Sequence, residues 1–289
     1  MIGMSISRKA FIAGNYIVLA CISLSMLFPF LNILAGSFSS GSAILQGKVT
    51  IVPVQFNIDN YMAVFSNPGI WRSFGVTVYI TVVGTAVSLL LTSLMAYGLS
   101  RQELKGRSFM LLLIVFTMIF QIPVIPNYLL VKGLGLLNSL WSLIIPSAVS
   151  AYNLIIMVSF FRNLETGLLE AAKIDGCSEY KLWWKIVLPI SLPSITTIGL
   201  FYAVSLWNGY YNAVMYLRDP ALYPLQVKLR QLLVGADAEE MMQGAAFALQ
   251  SMEGIKMATI IFATLPVLII YPMIQKHFVK GSMLGSVKG

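Results

Sequence analysis

Six stretches of this chain are each long and apolar enough to cross a lipid bilayer. A crossing helix needs about 20 predominantly apolar residues. The stretches lie near 11–36, 73–99, 108–131, 139–161, 193–217 and 256–275, and Pro123 and Pro126 interrupt the third. Of the 289 residues 58% are hydrophobic and only 10% charged, against about 25% charged in a soluble domain. The chain is therefore expected to be an all-α, polytopic membrane protein with six transmembrane helices, a single transmembrane domain over 1–289. Its start resembles a signal peptide, because Arg8 and Lys9 precede an apolar run and "VLAC" resembles a lipoprotein cleavage site. That run continues through "ISLSMLFPFLNIL", too long for a signal core, so a retained span is expected.

Orientation follows from Lys and Arg, which concentrate on the cytosolic side of a membrane protein. With the N-terminus inside, twelve of the 19 basic residues fall on inner segments, and Lys48, Arg72, Lys132, Arg218, Lys228, Arg230 and Lys256 fall outside. Both termini are accordingly expected in the cytosol, in a bacterial or archaeal cell membrane. The net charge of +8 then reports membrane topology rather than nucleic-acid binding.

Several chemistries are disfavoured. Cys21 and Cys177 do not make a disulfide framework. A lone His277 makes no multi-histidine metal site, and there is no phosphate-binding G-x-x-x-x-G-K-[ST] loop. The spans contain no acid and no histidine, which argues against a transporter driven by ions alone. No clustered nucleophile, carboxylate and histidine set suggests an embedded enzyme, so no catalytic residue, metal or cofactor is assigned.

Two outer segments are long. Residues 38–72 hold "VPVQFNIDNYMAVF", which reads as a short amphipathic hairpin or helix, and residues 218–255 hold an acidic centre with Asp237, Glu239 and Glu240. The sizeable inner loop is 163–192. In "NLETGLLEAAKIDG" Leu164, Leu168, Leu169 and Ala172 share one helical face. Gly176 is placed to follow that helix at C′, after Asp175. "SEYKLWWKIVLP" reads as a second short helix with Ser178 at its N-cap, ended by Pro189 and Pro193. Trp183, Trp184, Tyr180 and Ile186 suit either a partner protein or lipid headgroups, and the residues alone leave both open.

The spacing itself is distinctive. Glu170-Ala171-Ala172, three residues, Gly176, nine residues, Ile186, then Leu188-Pro189 resembles the signature loop of permease subunits of ATP-binding-cassette (ABC) importers. "FNIDNYMAVF" (56–65), "SLMAYGLSR" (93–101), "LGLLNSLWSLIIP" (134–146), "LWNGYY" (206–211) and the tail "FVKGSMLGSVKG" (278–289) are similar to segments of carbohydrate importers. The maltose-importer type of second permease is the nearest pattern, within a subgroup handling oligosaccharides such as alginate and pectin fragments. One departure is Gly209, where many sugar permeases carry Asp after Trp-Asn.

The resemblance implies a type I importer permease fold and an assembly with a second permease, two ATPase subunits, an external solute-binding protein and membrane lipid. ATP and Mg would sit on the ATPase. Glu170, Ala171, Ala172, Asp175, Gly176, Trp183, Leu188 and Pro189 would dock that ATPase, with Leu168 adding contact area and with Gly281 and Lys288 from the flexible tail 276–289. A polybasic lipid anchor is the alternative reading of the same tail. Gln121, Asn127, Tyr128, Asn153, Asn208, Tyr211 and Asn212 are candidates for the oligosaccharide pathway, or for plain interhelical hydrogen bonding. Asp237, Glu239 and Glu240 would meet the binding protein or simply face solvent. A non-sugar solute is the alternative cargo.

Overall fold

The computed structural model describes residues 6–120, 122–234 and 252–283. It is built from helices, with no strand among the described residues. Three helices are long and apolar enough to cross a membrane by themselves: α1 (Ile6–Ser37), α4 (Pro68–Ser100) and α15 (Met252–Met283). Two further pairs of apolar helices are sharply bent where they meet. α5 (Arg107–Ile119) meets α6 (Val124–Gly133) at 116°, across the predicted proline break. A helix over Glu179–Ile190 meets α12 (Leu192–Trp207) at 84°.

The expected continuous span at 139–161 divides. α7 (Trp141–Ile144) stops before Pro146, and α8 (Ala151–Arg162) restarts after Ser150. A proline has no N–H and crowds the preceding turn. Ser150 supplies the new start, its hydroxyl accepting from the Asn153 N–H. The Ser150 N–H donates in turn to the Tyr202 hydroxyl at 2.9 Å. At its 12 residues α8 is about 18 Å long, short of the ~30 Å hydrocarbon layer.

The chain packs as two compact units. One gathers the residues up to Ile70 with Leu229–Leu265. Here the predicted outer segment forms two short helices and no hairpin, α2 (Gly41–Leu45) and α3 (Asp59–Ser66). Asn60 on α3 is fully buried, and its amide donates to Ser37 O at 3.1 Å and Ser39 O at 3.0 Å. Those carbonyls lie where α1 ends and would otherwise be orphaned. Gly254 on α15 makes the approach possible, since a Cβ there would collide with the Asn60 side chain. α1 buries none of its apolar window within the chain, leaving Phe11, Leu24, Met26 and Phe30 exposed.

The second unit gathers Trp71–Lys228 with the residues from Pro266. One of its cores joins Ile80 of α4, Val131 of α6 and Leu143 and Ile144 of α7 to Tyr216 of α13 (Tyr211–Tyr216). Gly84 admits the Leu206 side chain, which would lie 2.7 Å from an added Cβ. The other core gathers Ala96, Tyr97 and Leu99 of α4 with Met157 and Phe161 of α8, Ile198 and Tyr202 of α12, and the loop 163–192. Thr92 and Tyr202 share a 2.7 Å hydrogen bond inside it.

The Asn60 cluster gives a direct test. Asn60→Asp keeps the shape but replaces a donor facing two carbonyls with an acceptor. It is expected to cost at least about 2 kcal/mol, lowering the melting temperature in detergent more than Asn60→Ser does. Equal melting of the two variants would contradict this role.

Candidate functional site

The loop 163–192 folds as two helical segments around a left-handed glycine. α9 (Thr166–Ile174) ends in a Schellman arrangement: Gly176 N–H bonds Lys173 O and Cys177 N–H bonds Ala172 O, both at 3.0 Å. Gly176 has φ +74°, a conformation costly for residues with a Cβ. Ser178 takes the N-cap position of α10 (Glu179–Leu182) with extended backbone, although its side chain makes no capping bond.

Pro189 does not end this second helix. The chain continues from α10 through a π turn (Trp183–Val187) into α11 (Leu188–Ile190), and the sharp bend comes at Ser191. In the π turn Leu188 N–H reaches Trp183 O. Pro189 then occupies the opening of the next segment, where a missing N–H leaves no bond unmade.

The two tryptophans that open the π turn differ in burial. Trp183 is buried in the core beneath the loop, with Leu169, Leu182 and Val187. The expectation that Trp183 supplies contact area to a partner is therefore corrected: its ring is already covered by its own chain. Trp184 is instead 62% exposed, Tyr180 80% and Ile174 86%. Leu168, Glu170, Ala171, Asp175 and Pro189 are exposed, and Ala172 and Leu188 are half-buried against the same core. Leu169 faces in.

An ion network fastens the loop to the end of α4. The Tyr97 hydroxyl donates to Glu179. Lys173 pairs with Glu179 at 3.0 Å and with Glu103 at 3.5 Å. The Arg101 guanidinium lies 4.2 Å above the Tyr97 ring, a cation–π arrangement. The Tyr97 hydrogen bond, then Lys173, hold the Glu179 carboxyl below its ordinary range against the opposing effect of burial. The bond to Glu179 likewise raises Lys173. Glu179 and Tyr97 fasten the loop in place, and sequence reasoning misses both. The acid at 179 gives no signal because its partner lies 82 positions away. Glu170 borders a cleft of about 270 Å³ beside this network.

The pathway candidates separate into groups. Asn208 and Tyr211 are exposed where α12 gives way to α13, and Asn212 lines a cavity of about 70 Å³ with Ser147, Ser205 and Gly209. The Asn208 amide donates to Val204 O at 2.9 Å, and Gln226, another residue that carries no mark in the sequence, donates to Asn208 Oδ1 at 3.4 Å. Tyr128 is half-buried and stacks on Tyr216 at 6.4 Å. Asn127 is half-buried on α6, and Asn153 is buried in the first turn of α8. Gly281 falls within helix α15 rather than in a flexible tail, because the helix runs on to Met283. Gln121, Asp237, Glu239, Glu240 and Lys288 lie outside the described residues.

Residues 88–282 match the family described as "Binding-protein-dependent transport system inner membrane component". The chain belongs to this family, and it is a multi-pass membrane permease with the type I importer fold. It is 49% identical to the polygalacturonan/rhamnogalacturonan transport system permease protein YtcP of Bacillus subtilis, over 95% of this chain and 96% of that protein. It is 30% identical to the arabinooligosaccharides transport system permease protein AraQ of Halalkalibacterium halodurans, over 93% and 94%. A chain in the crystal structure of a bacterial ABC transporter involved in the import of the acidic polysaccharide alginate superposes with a TM-score of 0.91, at 35% identity, covering 96% of this chain and all of that one.

A depressed carboxyl stabilises the fold above its unfolded titration range and loses that contribution as pH falls through its lowered folded value. Wild type should therefore melt above Glu179→Gln at pH 7, and the two should converge under acid. A gap that persists unchanged at low pH would remove Glu179 from the network.

Proposed function

We propose that this chain is the permease subunit that forms half of the translocation pathway of an ABC carbohydrate importer, taking up an oligosaccharide. The relatives transport polygalacturonan/rhamnogalacturonan, arabinooligosaccharides and alginate, and the non-sugar alternative is set aside on that ground. The single observation that carries the reading is the 49% identity across 95% of the chain to a polysaccharide-fragment permease. Both termini face the cytosol. A second permease completes the pathway, an external binding protein delivers the sugar near 218–255, and two ATPase subunits hold ATP and Mg and do the hydrolysis.

The loop's geometry supports its role as the ATPase contact. Ile174, Tyr180 and Trp184 offer exposed apolar area around the Glu170 carboxylate, the mixture that anchors protein interfaces. Glu170 pairs with a basic ATPase residue, a charge-assisted contact that fixes direction. The loop's other side is fastened to α4 through Glu179 and Lys173 and packed on α8 and α12. Closure of the ATPase pair on ATP thus moves loop and spans together, a two-state rocking that exposes the pathway to one side at a time. At the α12–α13 break Asn208, Tyr211 and Asn212 offer amides and an aromatic ring, which suit hydroxyls and the CH face of a pyranose.

The two tryptophans discriminate. Trp184→Ala should leave the permease folded and weaken ATPase binding by about 2 kcal/mol. Trp183→Ala should instead destabilise the permease by about 3–5 kcal/mol. Glu170→Lys should give a folded permease that loses its ATPase and its uptake. Normal uptake with stoichiometric ATPase in that variant would defeat the docking role. Binding of an oligosaccharide panel to the cognate external protein tests the cargo, and selective binding of an amino acid or polyamine would overturn it.

A further inference from the structure

The 270 Å³ cleft beside Glu170 holds more positive charge than its own carboxylates balance. Its lining brings together Arg101, Arg107, Arg162 and Lys173 against Glu103 and Glu170. Lys173 is engaged by Glu103 and Glu179, and Arg101 lies over Tyr97. Arg107 and Arg162 form no salt bridge among the described residues. The two nonetheless line the same cleft. Packing of α5 on α8 forces this, because Arg107 opens α5 and Arg162 closes α8. Two guanidiniums lining one cleft, neither of them in a salt bridge with its carboxylates among the described residues, are relieved by an anion.

The position of the cleft indicates which anion. α4 ends at Ser100, α5 begins at Arg107 and α8 ends at Arg162, so the cleft lies where three membrane helices leave the hydrocarbon. From Arg107, α5 presents an exposed apolar face of Phe109, Leu112, Leu113 and Phe116. A molecule with an anionic head and acyl chains meets both surfaces at once, whereas an acidic side chain or free phosphate uses the head site alone.

We propose that the Arg107–Arg162 cleft is a binding site for the phosphate headgroup of an anionic membrane phospholipid, with its acyl chains lying along α5. The site steadies the junction on which the loop 163–192 rests. The assignment stands independently of the transported solute.

The test uses the complete importer, purified from membranes and reconstituted in nanodiscs of phosphatidylcholine with or without phosphatidylglycerol. Retained lipid is measured by native mass spectrometry. Wild type should retain phosphatidylglycerol and not phosphatidylcholine. The Arg107→Gln/Arg162→Gln variant should retain about 30-fold less, since each basic residue at a membrane surface contributes about fivefold. The Arg107→Lys/Arg162→Lys variant should recover most of it. Because that variant keeps both charges, it separates charge loss from misfolding. Equal retention by wild type and the Gln variant overturns the site. Displacement of the lipid by millimolar inorganic phosphate, with no dependence on acyl chains, overturns the lipid as its source. Loss of the ATPase subunits in the Gln variant, with lipid retention unchanged, assigns the cleft to an acidic protein partner instead.

Discussion

Inside hydrocarbon a backbone N–H or C=O has no solvent to turn to, and every irregularity of a spanning segment must carry its own hydrogen-bond partner. This constraint governs where the chain is regular and also how it breaks. At the Ser150 break the released N–H meets the Tyr202 hydroxyl, which in turn meets Thr92. At the Ser191 bend Ser191 O accepts from the N–H groups of both Ser194 and Ile195. At the α12–α13 interruption the Asn208 side chain bonds back to Val204 O. At Ser150 and Asn208 the side chain itself makes a bond at the break, which accounts for a polar residue in an otherwise apolar stretch.

The same economy shapes the loop 163–192. Outside the hydrocarbon its helices are individually too short to be stable alone. They persist because Leu169, Leu182, Trp183 and Val187 are buried against α4, α8 and α12. The Glu179 network then adds direction to that non-directional packing, with one carboxylate reaching both Tyr97 and Lys173. A force applied at the loop surface is delivered to the ends of three helices rather than dissipated in a hinge.

Local rules are readable in the sequence and long-range pairings are not. The first, second and last apolar runs, the break near Pro123, Gly176 at C′ and Ser178 at the N-cap position depend on neighbours within a few positions and appear in the structure, whereas the runs at 139–161 and 193–217 are interrupted. The interruption after Trp141–Ile144 escapes notice because hydropathy alone does not register Pro146 as a stop. Pro189 reads as a terminator because a π turn, which accommodates it, has no simple sequence period. Asn60 and Gly254 are nearly two hundred positions apart, as are many pairs that fix membrane helices. Their contact is invisible to any local pattern. In the pathway, residue type marks Asn208, Tyr211 and Asn212, but only the folded chain adds Gln226 to them.

Trp183 and Trp184 show why this distinction matters for coupling. A transmission element must be anchored firmly in its own subunit and still present apolar area to another. Identical neighbouring side chains leave the sequence silent about which ring does which task. An α-helix turns successive residues by about 100°, so one indole enters the core while the next leaves it. The π turn inserts an extra residue and shifts the register of the positions after it, so that Val187 returns to the core while Pro189 stays outside. Anchoring and presentation are therefore divided between consecutive residues of one turn. On the proposed docking role, load taken up at Trp184 would pass to Trp183 through the backbone they share, with no flexible segment between them.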